Sequence, residues 1–211
     1  MPAQTAQVTT LTQACAQFFR HPTARILTTQ LLALGVLRLA VGRWSWTDAV
    51  ITVVLVAPQP FTKWLIPVFV LHCPADRRLR DRLASSSHRR HHEDPRDMRF
   101  QFLHPSAPYA GTAIFALLVL ALRTPASVTG VLVAVVLTAT YKWVHFLIHT
   151  DYPPRHGPYR RLHQAHRLHH FRNERYWLGL TARTGDRLLG TNPRKEHVEI
   201  SPTAGTALLR R

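Results

Sequence analysis

An all-α integral-membrane fold made of two helical hairpins is what this sequence predicts, on three observations. Hydrophobic residues, 46% of 211, gather in long blocks separated by arginine-rich ones. Four of those blocks are apolar enough to read as full or partial spans. Of the three connections between them, two are short and nearly uncharged, and the middle one is dense in arginine.

The elements follow in order. Residues 1–24 lack a basic start, an apolar core and a small-residue cleavage site, so no cleaved signal peptide is read there. The first run, 26–41, is "ILTTQLLALGVLRLAV", with Arg38 near its end. "GRWSWTD" leads to the second run, 48–72, which "PQPFTK" interrupts. The third is 109–122; "RTPAS" then leads to the fourth, 126–149. A helix needs ~20 apolar residues to cross a bilayer. The fourth run meets that length, the second meets it with a break, and the first and third read as thin spans or re-entrant segments. One membrane domain over 25–200 is expected, between an N-terminal segment at 1–24 and a tail at 201–211.

Charge sets the expected orientation. Lys and Arg number 27 against 11 Asp and Glu, a net +16, almost all of it arginine. The arginines crowd the loop between the second and third runs and everything after 150. Lys/Arg-rich loops stay cytoplasmic, so both termini and the central loop are expected on that side, with Trp44 and Trp46 at the far interface. A basic pI raises nucleic acid as a partner, but the segregated apolar blocks favour lipid headgroups, and no nucleic acid is expected. Arginine and alanine richness with almost no lysine points to a GC-rich bacterial genome, and so to a bacterial cell membrane. Cys15 and Cys73 match no metal-ligand spacing.

Histidine carries the chemistry. "HRRHH" places His88, His91 and His92 at i, i+3 and i+4, and "HRLHH" repeats the spacing with His166, His169 and His170. "HFLIH" places His145 and His149 at i and i+4, and His72 closes the second run. On a helix these spacings put imidazoles on one face. In the expected topology all four places open on the same side of the membrane. A lone pair such as His145 and His149 is as readily an idle interfacial feature, and one HxxHH in an arginine-rich loop is ordinarily surface. Two HxxHH motifs at helix ends on one side favour metal. Neutral imidazole suits iron, zinc, copper or nickel; nine from four places exceed one tetrahedral zinc and suit a two-metal centre. His163 stands one turn before the last group and reads as lining the site or orienting a ligand. His104, His156 and His197 match no motif and read as surface, and His21 as an interfacial residue before Pro22.

The segments "HRRHHEDPRD" (88–97), "YKWVHFLIHT" (141–150) and "HRLHHFRNERYWLGLTARTGDRLLGTNP" (166–193) resemble the fatty acid hydroxylase/sterol desaturase superfamily of integral-membrane di-iron enzymes. The likeness runs from about 60 to 193. The closing pattern of that family, a Gly, an Asp and a Gly-Thr, is met by Gly179, Asp186, Gly190 and Thr191. The resemblance implies a four-helix membrane bundle under a cytosolic histidine-rich helical cap. It implies two non-haem iron ions on His72, His88, His91, His92, His145, His149, His166, His169 and His170, left unapportioned, with Asp186 in a supporting shell. The family's first motif has an acid and two histidines; here Lys63 and Pro67 stand at the acid and first-histidine positions.

The implied activity is hydroxylation or desaturation of a lipid C–H bond with O2 and two external electrons, in lipid biosynthesis. The substrate class is fatty acyl, sterol or hopanoid, or carotenoid. No haem, flavin or nicotinamide site is visible, so a separate donor such as a ferredoxin or cytochrome b5 is expected, met by the basic face. Three other classes are weighed. A catalytically degenerate relative with a structural or lipid-binding role rests on Lys63 and Pro67. A metal-ion carrier predicts ligands spread through the membrane depth, and a nucleic-acid binder predicts a soluble protein.

Overall fold

The computed structural model describes residues 7–72, 86–102, 124–202 and 204, together with 109–111, 113, 114, 116, 117 and 121. Among the described residues the regular elements are helical and none is a strand. Nine α-helices are named here: α1 (Leu11–Phe18), α2 (Pro22–Val41), α3 (Trp46–Val56), α4 (Gln59–Ile66), α5 (Ser86–Glu93), α6 (Met98–Gln101), α7 (Pro125–Ile148), α8 (Gly157–Phe171) and α9 (Thr184–Leu188). A π-helical turn, Pro67–Leu71, continues α4, and a 3-10 turn covers Lys195–His197.

Three helical segments are long and apolar enough to cross a membrane among the described residues: Pro22–Val41, Trp46–Leu71 and Pro125–Ile148. The first starts four residues ahead of the apolar run because Pro22 fills the first helical position and His21 caps it. The His21 Nδ1 accepts from the Thr23 N–H at 3.3 Å. The second, Trp46–Leu71, takes in "PQPFTK": α3 ends at Val56, Ala57 keeps helical angles with its N–H on Val53, and α4 begins at Gln59, so the prolines interrupt the ladder. In the third apolar run, 109–122, the described residues are helical and the others lie outside the described set; the expected four-helix count rests in part on them. Cys73 and His104 also lie outside it.

Two compact units make up the chain. One comprises Cys15–Pro58 and Phe102–Trp143, the other Met1–Ala14, Gln59–Gln101 and Val144–Arg211. The first is held by apolar helices and by one charged knot. Arg38 on α2, 1% exposed, donates through Nη2 to Asp48 Oδ1 (2.7 Å) and through Nε to Thr129 Oγ1 on α7 (2.6 Å). Its Nη1 bonds the Gly42 carbonyl, and the guanidinium lies 3.7 Å over the Trp44 ring. Asp48 reaches back to the Ser45 N–H (2.8 Å), helping to cap α3. Close by in sequence, α7 approaches α3 at Gly130, where a Cβ would meet Ile51 at 3.2 Å. Phe18, Phe102 and Trp143 pack edge-on or tilted in the same unit, with His21 stacked on Phe102 at 4.2 Å.

The second unit carries all nine of the motif histidines, His72, His88, His91, His92, His145, His149, His166, His169 and His170. Its small core of Ala165, Trp177 and Val198 fixes the inner face of α8 against the segment that follows it.

Candidate metal centre

Helical spacing alone aligns each histidine motif, and the helices then divide it. The nine rings fall into two groups, within each of which the ligand atoms lie within 4.8 Å of one another. One holds His91, His145, His149, His166 and His170; the other holds His72, His88, His92 and His169. In α5 the i, i+4 pair His88 and His92 joins the second group, and the neighbour His91 crosses to the first. In α8 the arrangement is reversed: His166 and His170 join the first group and His169 the second. The consecutive residues His91–His92 and His169–His170 thus straddle both groups, and His92 stacks on His170 at 4.1 Å between centroids.

The nitrogens converge closely. In the five-histidine group Nε2 atoms stand 2.9 Å apart for His91 and His145, 3.0 Å for His149 and His166, and 3.1 Å for His166 and His170. In the four-histidine group His88 Nε2 lies 3.1 Å from both His72 and His92. Two nitrogens each ~2.1 Å from a common ion are about 3.0 Å apart at a right angle and about 3.4 Å at the tetrahedral angle. The closest pairs fall near the separation of two ligands on one ion, and the other ligand atoms of each group lie within 4.8 Å.

Protonation points the same way. Burial, then repulsion from His169, lowers the His72 pKa to about 3. Burial first, and neighbouring histidines after it, hold His92, His149, His166 and His170 well below the ordinary value. Burial also lowers His169, against the opposing pull of the Tyr176 carbonyl. These rings are therefore neutral near pH 7, with lone pairs available. Among the described residues no acid shares either group. Convergent neutral bases without a counter-acid are poorly satisfied by one another and well satisfied by a cation, so the residues present fit a pair of metal ions.

Backbone geometry orients one ring outright. His169 Nδ1 donates to the Tyr176 carbonyl at 2.9 Å, which leaves Nε2 for a metal. The next residue, Trp177, is 2% exposed and sits at φ 54, a left-handed conformation that a bulky residue adopts at a cost. Its N–H bonds the Thr191 carbonyl at 2.8 Å. Asp186, 1% exposed, accepts from the Leu178 and Gly179 N–H groups (2.9 and 2.8 Å) and from the Thr191 hydroxyl (2.7 Å). Thr191 Oγ1 in turn accepts from Trp64 Nε1 on α4 at 2.8 Å. Gly179 and Gly185 are needed for close approach: a Cβ on the first would strike the Ala182 carbonyl and Asp186, and on the second the Pro60 carbonyl. Asp186 therefore acts on the loop that presents Tyr176, and no hydrogen bond joins it to a ligand ring.

His163, half-buried on α8, faces Tyr159 at 6.0 Å between centroids. Burial and Arg167 lower its pKa, and its charge bears on His149 and His166. His156 precedes α8 and His197 lies in the 3-10 turn, both exposed. His21 is a helix cap. Sequence reasoning missed the Tyr176 carbonyl, for which no residue type gives a signal, and the π turn, which "IPVFVLH" announces only as a proline inside an apolar run.

No curated protein and no solved structure matches this chain. A family model described as Fatty acid hydroxylase matches residues 52–191, a stretch that contains both histidine groups and the loop closed by Thr191. With the geometry in place, that match is decisive: the chain belongs to the fatty acid hydroxylase family, within the fatty acid hydroxylase/sterol desaturase superfamily.

Proposed function

We propose that this protein is a membrane-bound di-iron oxygenase that hydroxylates or desaturates a lipid C–H bond. The observation that supports it is the pair of adjoining all-histidine groups in a member of a lipid hydroxylase family. Hydroxylation consumes a C–H bond, O2, two electrons and two protons, and yields an alcohol and water; desaturation removes two hydrogens instead. Two irons, when bound, supply the O2 activation and the attack on an unactivated C–H bond.

The protein's own residues do the rest. His91, His145, His149, His166 and His170 hold one ion, and His72, His88, His92 and His169 the other. The Tyr176 carbonyl keeps the His169 proton on Nδ1. His72 follows one apolar segment, and His145 and His149 close another, which suits an amphiphile with its tail in the membrane. Fatty acyl, sterol or hopanoid, and carotenoid chains all meet that description. The arginine-rich loops suit cytoplasmic termini in a multi-pass protein, lipid headgroups, and an acidic electron carrier such as a ferredoxin or cytochrome b5.

Metal analysis of the detergent-purified protein by plasma mass spectrometry tests the reading, with a His169→Ala/His170→Ala control. About two irons per chain, lost in the control, are expected, and a lipid-substrate screen follows. A second reading, a relative without catalysis, rests on Pro67 at the position of a family ligand. A folded protein that binds no metal would favour it.

A further inference from the structure

Among the described residues the two histidine groups follow one plan, and the plan is incomplete at one place. The five-histidine group takes an i, i+4 pair from α7, an i, i+4 pair from α8 and the single His91 from α5. Its neighbour takes an i, i+4 pair from α5 and the single His169 from α8. The counterpart of the α7 pair is the end of α4 with its π turn, which supplies His72 and, where a second ring would stand, Pro67. In an α-helix five residues turn about 500°, leaving the two about 140° out of line. Here the His72 N–H bonds the Pro67 carbonyl at 2.9 Å, and this i→i+5 bond closes one π turn between them. Positions 67 and 72 therefore share a helix face. The π turn begins where Pro67 has no N–H to return to Lys63, so the residue that removes the ligand also starts the turn.

Burial separates the groups independently. Four of the five rings in the larger group are buried, and the fifth is half-buried. In the smaller group only His169 is buried, with His72, His88 and His92 half-buried.

We infer that the two metal positions are unequal by construction. The five-histidine group holds a tightly bound ion; the four-histidine group holds an exchangeable one, with a coordination position open to a small exogenous ligand such as water or an anion. This rests on the proposed function only in requiring that both groups take a metal.

The test is Co2+ titration of the metal-free full chain in detergent, read by visible absorption, followed by azide. Two phases are expected, the second weaker by at least about tenfold, with azide altering only the absorption gained in that phase. His88→Ala should remove the second phase and the azide response while keeping the first. Pro67→His should narrow the gap and abolish the response. Should Pro67→His not fold, the unaltered chain and His88→Ala decide between them. Two ions bound with equal affinity, an azide response that survives His88→Ala, or two bound ions indifferent to azide would each overturn the inference alone. Protein with intact helical circular dichroism that binds no cobalt would overturn the proposed function as well.

Discussion

Two of the polar clusters buried among the described residues are built on opposite principles. The Arg38 knot combines a cation, an acid and a hydroxyl. Each guanidinium nitrogen has an acceptor, and both Asp48 oxygens have donors. The histidine centre combines nine bases of one kind, with no acid in either group among the described residues. Buried polar atoms are ordinarily satisfied; the knot is complete as it stands, while the histidines converge in a way that could hold a cation. The closed cluster is a structural fastening; the open one is a site.

Removing a ligand should break this contrast most severely. His166→Ala deletes a ring whose Nε2 lies near those of both His149 and His170. Bound metal should fall from about two ions per chain to one or fewer, with helical circular dichroism retained.

Acid is the next largest perturbation. Six of the rings, His72, His92, His149, His166, His169 and His170, are held below the ordinary value of 6.5 in the folded chain. Below pH 6.5 the unfolded chain therefore binds more protons than the folded one. Stability of the metal-free protein should be full above that pH and fall as pH drops toward the folded values, about 3 for His72. The slope is about 1.4 kcal/mol per pH unit for each ring at full effect. Chemical denaturation at a series of pH values on either side of 6.5, the ordinary histidine value, checks this. A flat profile would mean that the rings are not buried neutral.

What could be read from the sequence divides along the same line. The HxxHH motifs were legible because i, i+3 and i+4 map directly onto one helix face. Their division was not, since sending His91 one way and His88 with His92 the other depends on where α7 and α8 lie. The fastening was harder to read. Arg38 and Asp48 are ten residues apart and Thr129 lies 81 beyond Asp48, and nothing about a threonine in an apolar run marks it as a partner. One signal was available: a charge on each of two neighbouring apolar runs, expensive in a membrane unless paired. The early start of α2 was not read, although a histidine followed by proline at the first turn signals it.

Asp48→Ala should break the closed cluster, leaving the Arg38 charge buried with part of its partnership gone. The apparent melting temperature should fall by about 10 °C, with metal content per folded chain unchanged. Asp186→Asn should cost less, about 2 kcal/mol. The amide keeps one acceptor oxygen but turns an N–H toward the Leu178 or Gly179 N–H. Because Asp186 braces the loop that offers the Tyr176 carbonyl to His169, metal affinity should weaken by about tenfold at the same time. A stability loss without that weakening would confine Asp186 to the loop.

The smallest effect sharpens the comparison from outside. Arg96 Nη2 lies 2.6 Å from Asp151 Oδ1, closer than any nitrogen pair quoted for the histidine centre, yet the two side chains are 47% and 35% exposed. If short distance alone made a polar contact matter, Arg96→Ala would rank with the ligand substitutions. Exposure decides otherwise: water competes for both partners, salt screens them, and holding two long side chains in register costs entropy. The change in stability should stay below about 1 kcal/mol and shrink further in 0.5 M salt, about three times physiological ionic strength. A loss as large as that of Asp186→Asn, insensitive to salt, would mean that the pair is shielded from water, and that distance rather than exposure ranks the polar contacts.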